Sequence, residues 1–293
     1  MMTDVLSRSA REPDHVLRYG PGPSQVADLF LPPDGPVRGL ALALHGGFWR
    51  ARYDRVHLRP LAEAIAAGGH AVALLEYRRV GEGGGGHPGT FDDVLLGIRT
   101  VPGIVGDLLV RERRTGAGLD GDPVERDLRT RAGLDGDALG HELSAADTTL
   151  IGHSAGGHLA LWSQSVPEAR VAHVIALAGV LDLVEAGRLR LSQDAVGELL
   201  HRDRPGFAER LAAADPMRLP PPTEAGTATT LMHGTADDDV PVDFSRTYAA
   251  RDPRIDLRVL EGAGHFDLID PLRPAGALLL QLIAATPAAA SPQ

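Results

Sequence analysis

The sequence predicts an α/β protein with a mostly parallel central sheet and helices on both faces. Two observations point there. Nearly continuous apolar runs of strand length recur along the chain, and segments of helical pattern separate them. A strand covered on both faces has no polar side, so it reads as an unbroken apolar run; a half-exposed strand would alternate. In chain order, "VADLFL" (26–31) alternates and "GLALALH" (39–45) is nearly continuous. The segment "LRPLAEAIAAGG" (58–69) has helical spacing closed by glycine, and "HAVALLEY" (70–77) returns to strand. A helix begins at "TFDDVLLGI" (90–98), and "DTTLIGH" (147–153) leads into a second helix carrying "HLALW". "AHVIALAG" (172–179), "ATTLMHG" (228–234) and "IDLRVLEG" (255–262) complete the strands, and "AGALLLQLIAA" (275–285) is expected to be a helix packed on the core. Ligands of such sheets gather beyond the carboxyl ends of the strands.

Composition narrows the function. A formal net charge of −10 gives no basic face for nucleic acid or an anionic membrane, so a small-molecule partner is expected. The chain has no cysteine, which excludes disulfides, thiolate nucleophiles and cysteine-bound zinc. The first residues carry charges throughout and lack an apolar block of signal-peptide length, so cytoplasmic residence is the expectation. The organisation expected is an N-terminal extension (1–19), one domain (20–286) and a frayed tail (287–293).

Two segments break the alternation. "GEGGGGHPG" (81–89) satisfies Gly-x-Gly-x-x-Gly through Gly81, Gly83 and Gly86, but a run so rich in glycine matches any glycine pattern, and a mobile loop is the simpler reading. The stretch 113–146 contains "AGLDGD" twice and is expected to be a surface insert dispensable for chemistry, with too few acidic ligands for a calcium loop.

The chemistry centres on "LIGHSAGGHLALW" (150–162). A strand ending at Gly152 and a helix starting at Ala155 would push the Ser154 hydroxyl out of a strained turn, as a nucleophile requires. Such a serine needs a base, an orienting acid and donors for the oxyanion. "HGTADDDVP" (233–241) presents Asp237, Asp238 and Asp239 after one strand, and "EGAGHFDLID" (261–270) presents His265 after the next; Asp182 also follows a strand. "LHGGFW" (44–49) places Gly46 and Gly47 where backbone N–H groups, with that of Ala155, can meet a developing negative charge. Phe48, Trp49, Tyr53, Tyr77 and Phe266 are expected near the site as an aromatic-lined pocket. His45, His153, His158 and His233 lack the i, i+4 pairing with glutamate of a helical zinc site and are read as loop-positioning groups, with no metal and no cofactor expected.

Together "HGGFW", "EYRRVG", "GHSAGGHLALW", "HGTADDDVP" and "GAGHFD" resemble the bacterial α/β-hydrolases related to kynurenine formamidase and to small carboxylesterases of the hormone-sensitive-lipase type, over roughly Gly20 to Ile283 outside the insert. The resemblance implies an α/β-hydrolase fold, with Ser154 as nucleophile, Asp237 as acid, His265 as base and His45–Trp49 as the oxyanion and acyl loop. The spacing His-Gly-x-x-Asp selects the same aspartate. The implied activity is hydrolysis of a small ester or formamide through an acyl-enzyme, with Phe48 and Trp49 restricting the acyl group to formyl or acetyl. A dipeptidyl or acyl-peptide hydrolase is the alternative, and a non-catalytic binding module on the same fold is a further one.

Overall fold

The computed structural model describes residues 5–116 and 148–285. Its centre is an eight-stranded sheet in the order β1-β2-β4-β3-β5-β6-β7-β8. The strands are β1 (His15–Arg18), β2 (Val26–Phe30), β3 (Leu40–Leu44), β4 (Ala71–Leu75), β5 (Thr148–His153), β6 (His173–Leu177), β7 (Ala228–Gly234) and β8 (Asp256–Leu260). The pairs β1–β2 and β2–β4 are antiparallel, and every other pair is parallel.

The continuous apolar runs are explained by two hydrophobic layers, one on each face. On β3, Leu40, Leu42 and Leu44 join one layer while Ala41 and Ala43 join the other; on β6, Val174 and Ala176 face one way and Ile175 and Leu177 the other. Helices α2 (Gly89–Gly116) and α3 (Ala155–Ser163) supply Phe91, Val94, Ile98 and Leu159 to the first layer. Helix α1 (Arg59–Ala67) supplies Leu61 and Ile65 to the second. The chain thus leaves β3 toward one face and β5 toward the other, although the two strands are neighbours. Their diverging loops open a crevice at the carboxyl end of the sheet, the position where such folds bind ligands.

The structure adds elements that periodicity did not reveal. β1 lies within the stretch expected to be an extension, yet its full length pairs with β2 at the sheet edge. Val5 of the same stretch is buried in the second layer. Between β6 and β7 run three short helices, α4 (Leu183–Arg188), α5 (Leu191–Leu199) and α6 (Phe207–Ala214), followed after β7 by α7 (Asp243–Ala249). Arg190, Ser192, Gln193, Asp194 and His201 adopt positive φ, so the segment never sustains a long helical repeat. The glycine-rich stretch read as a mobile loop is folded into turns, tied by Gly85 N–H to the Glu82 carbonyl and by His87 N–H to the Leu199 carbonyl at 2.8 Å. The final helix, α8 (Pro274–Ala285), packs Leu279 and Ile283 against the second layer. Among the described residues no helix is long and apolar enough to cross a membrane. Apart from residues 113–116, the repeated insert lies outside the described residues, as does the tail 287–293.

Candidate active site

Ser154 occupies the single residue between β5 and α3, with φ 55° and ψ −115°. That conformation is costly for a residue with a side chain and persists only where surroundings enforce it. Here its N–H donates to the Leu177 carbonyl at 2.8 Å, and its own carbonyl accepts from His158 N–H at 3.2 Å. The flanking glycines are required by contact. A Cβ on Gly152 would stand 2.2 Å from the Gly156 carbonyl oxygen, and one on Gly156 would stand 2.1 Å from that of Leu44. Any side chain at either position would push α3 off the sheet.

Asp237 and His265 come from the loops after β7 and β8 and meet directly. His265 Nδ1 donates to Asp237 Oδ2 at 2.7 Å, while Asp237 Oδ1 accepts from the N–H groups of Asp239 and Val240 at 2.9 and 2.8 Å. Burial pushes the Asp237 carboxyl up, but hydrogen bonds from His233 and His265 outweigh it, and the group lies well below the usual carboxylate range. It is therefore ionised, Nδ1 of His265 carries the proton, and Nε2 remains as the other ring nitrogen. His233 Nε2 lies 2.9 Å from the Val240 carbonyl and 3.2 Å from Asp237 Oδ2, and its Nδ1 lies 2.8 Å from Ser245 Oγ, so this buried ring braces Asp237. Asp182 instead caps α4 through Glu185 N–H and takes no part. One ligand atom each from Asp237, Asp239 and His265 lies within 4.8 Å of the others, but a cation bound by Nδ1 would displace the proton that joins His265 to Asp237.

His153 holds His265 from behind. Its Nε2 donates to the His265 backbone carbonyl at 3.1 Å, and the two rings lie 4.6 Å apart between centroids. Burial and the nearby His265 pull the His153 imidazole well below its ordinary value, so it is neutral at pH 7.

The loop after β3 forms the opposite side. Gly47 has φ 105°, and a Cβ there would lie 2.4 Å from Tyr53 Cβ, so this position demands glycine twice over. Gly46 packs beneath Ser154, where an added Cβ would reach Ser154 Cβ at 3.0 Å. Among the described residues the N–H groups of Gly47 and Ala155 donate to no other backbone group outside regular elements. The loop is anchored by His45, whose Nε2 meets Glu76 Oε1 at 2.8 Å and whose ring stacks on Tyr77 at 4.4 Å.

A cavity of about 350 Å³ joins these parts, lined by Gly47, Phe48, His153, Ser154, His265 and Phe266 together with Leu6, Arg52, Tyr53, Asp54, Val56, His57 and Asp239. Phe48 and Phe266 stand where the sequence reading expected them. Trp49 and Tyr77 do not: both are wholly buried and line no part of the cavity. The reason is the backbone at Phe48 and Trp49, both at positive φ, which turns successive side chains to different sides. Trp49 packs edge-on against His158, and the Tyr77 hydroxyl donates to the His45 carbonyl at 2.7 Å, so both support the loop from inside. Leu6, Val56 and His57 were not anticipated. His57 has a readable signal, "RYDRVH" shortly after the glycine pair, whereas Leu6 has none. Burial and the adjacent His45 pull the His57 imidazole down to about 4, so it presents an uncharged ring to the cavity.

No family model matches the chain, and no curated protein sequence matches it. Solved structures do resemble it. An esterase of Thermogutta terrifontis, solved with propionate bound, is 23% identical with a TM-score of 0.60, covering 92% of this chain and 91% of that one. Esterase B of Lactobacillus rhamnosis is 16% identical with a TM-score of 0.64, over 94% and 89% of the two chains. An acetyl ester-xyloside bifunctional hydrolase of Caldicellulosiruptor lactoaceticus is 15% identical with a TM-score of 0.64, over 92% and 96%. The likeness spans nearly the whole chain and, with the strand order, establishes the α/β-hydrolase fold.

Proposed function

We propose that this protein is a serine hydrolase that cleaves small carboxylic esters through an acyl-enzyme. The observation that carries the reading is that His265, paired with Asp237 at 2.7 Å, lines one cavity with a serine held at positive φ. Ser154 Oγ attacks the carbonyl carbon and its proton passes to His265 Nε2, while Asp237 keeps Nδ1 protonated and stabilises the imidazolium. The N–H groups of Gly47 and Ala155 receive the oxyanion, a role in which a single donor is worth roughly 3 kcal/mol. Collapse expels the alcohol with the proton from His265, and water attacks the acyl-enzyme by the same route to release the acid.

Short esters are favoured over formamides and peptides. The cavity is about 350 Å³ and carries apolar groups from Leu6, Phe48, Val56 and Phe266. The Thermogutta esterase has been solved with propionate and with butyrate, and phosphonylated by sarin. Formyl transfer to water from an aromatic amide uses the same residues and is the competing reading.

The test is a fluorophosphonate probe followed by a substrate panel. The probe should attach to Ser154 alone, and Ser154→Ala should lose turnover of 4-nitrophenyl acetate and butyrate. Label on another residue, or unchanged rates in the variant, removes the hydrolase reading. Faster turnover of N-formyl aromatic amides than of these esters moves the assignment to the formamide class.

A further inference from the structure

The N-terminal turn, Val5–Ser7, lies far from the catalytic residues in sequence, yet it reaches their cavity. Three contacts place it there. Val5 is 1% exposed and belongs to the hydrophobic layer shared with α1 and α8, so the turn is anchored from below. Arg8 Nη2 donates to Asp270 Oδ2 at 2.7 Å, and that carboxylate is only 1% exposed. Asp270 lies in the same loop that carries His265, so the clamp ties the turn to that segment itself. Between these anchors Leu6 lines the cavity while keeping 46% of its surface open. An isolated exposed leucine needs no explanation, but one held between a buried valine and an arginine clamped to a buried carboxylate, at the wall of a cavity containing Ser154, is a built feature.

We infer that the N-terminal turn is part of the active site, and that Leu6 sets the size of the apolar substrate group the cavity accepts. The inference rests on the ester-hydrolase reading and adds to it the element that limits chain length. Phe48, Val56 and Phe266 form the remaining apolar lining and belong to the loops already described. Leu6 is the apolar lining residue contributed by a different segment, so its side chain can change without disturbing the triad or the oxyanion loop. A difference of one methylene in an apolar pocket changes kcat/KM by roughly 10- to 200-fold, so a wall residue of this size is enough to decide chain length.

The experiment measures kcat/KM for 4-nitrophenyl acetate, butyrate and octanoate, and for methyl, butyl and hexyl butyrate, in the unsubstituted protein, Leu6→Ala and Leu6→Trp. Leu6→Ala should raise the long-to-short ratio at least about fivefold in one of the two series, and Leu6→Trp should lower that ratio. Val5 and Arg8 remain in place in both variants, so melting temperatures should stay within a few degrees. Ratios unchanged in both series, with acetate still turned over, overturn the role of Leu6 and leave the hydrolase reading intact. No turnover of any ester by the unsubstituted protein overturns the hydrolase reading, and this inference with it.

Discussion

The loop after β3 reaches the cavity through a buried polar network that runs across several elements, whereas the loops after β7 and β8 hold Asp237 and His265 by bonds among themselves and to His233 on β7 and His153 on β5. On the first side, His45 meets Glu76, Glu76 Oε2 accepts from Arg55 N–H at 3.2 Å, and Arg55 Nη2 meets Asp28 Oδ1 on β2 at 2.7 Å. Asp28 is fully buried and also holds Arg59, the first residue of α1, at 2.8 Å. On the second side, Asp237 takes two N–H groups from its own loop, and Gly264 N–H donates to Asp267 three residues on, at 2.8 Å. The difference separates two kinds of failure. Removing a partner from the first network strands a buried charge and weakens the fold. Altering the second changes a proton position and reaches the chemistry first.

The largest test of that contrast is on the acid. Asp237→Asn keeps much of the shape but favours the wrong tautomer of His265, and should lower kcat by about three to four orders of magnitude. Asp239→Asn, whose carboxylate is exposed, should stay within about tenfold, and so should Asp238→Asn. Melting temperature should move little in Asp238→Asn and Asp239→Asn. Equal losses in Asp237→Asn and Asp239→Asn would mean that the loop acts as a unit and that no single carboxylate orients the base.

Glu76→Ala tests the other side. Burial pushes this carboxyl up, but His45, Arg79 and the Arg55 amide bring it down from 4.5 to about 2. Because the folded value is depressed, its stabilisation is fully present above the ordinary value and disappears as pH falls from about 4.5 toward 2. Glu76→Ala should cost about 3–5 kcal/mol at neutral pH and flatten the acid limb of stability measured by urea unfolding at successive pH values. An unchanged acid limb would show that the network is not what holds the loop after β3. The adjacent aromatics sharpen the contrast further. Trp49→Ala should cost about 3–5 kcal/mol of stability by opening a cavity in the core. Phe48→Ala should leave melting within a few degrees and alter KM for the larger esters. The reverse pattern would place Trp49, and not Phe48, at the substrate.

Much of this protein is legible in its sequence, for a local reason. The strand runs, the glycine-flanked Ser154 and the loops bearing Asp237 and His265 are patterns complete within a dozen residues, because side-chain periodicity and turn chemistry act over that range. Even the choice among three adjacent aspartates followed from a five-residue spacing, and the structure brings Asp237 to His265. Which aromatic reaches the cavity was not legible: Phe48 and Trp49 are neighbours of similar chemistry, and only the backbone turn at positive φ sends one to the cavity and the other to the core. The sheet-edge strand His15–Arg18 and the Leu6 wall were equally hidden, since neither has an apolar pattern of its own. Their places come from pairing with β2 and from an ion pair between Arg8 and Asp270, 262 residues apart in sequence. The sequence by itself determined the strand-and-turn chemistry that local forces read; tertiary contact decided which surfaces line the cavity, because a wall exists only where distant segments meet.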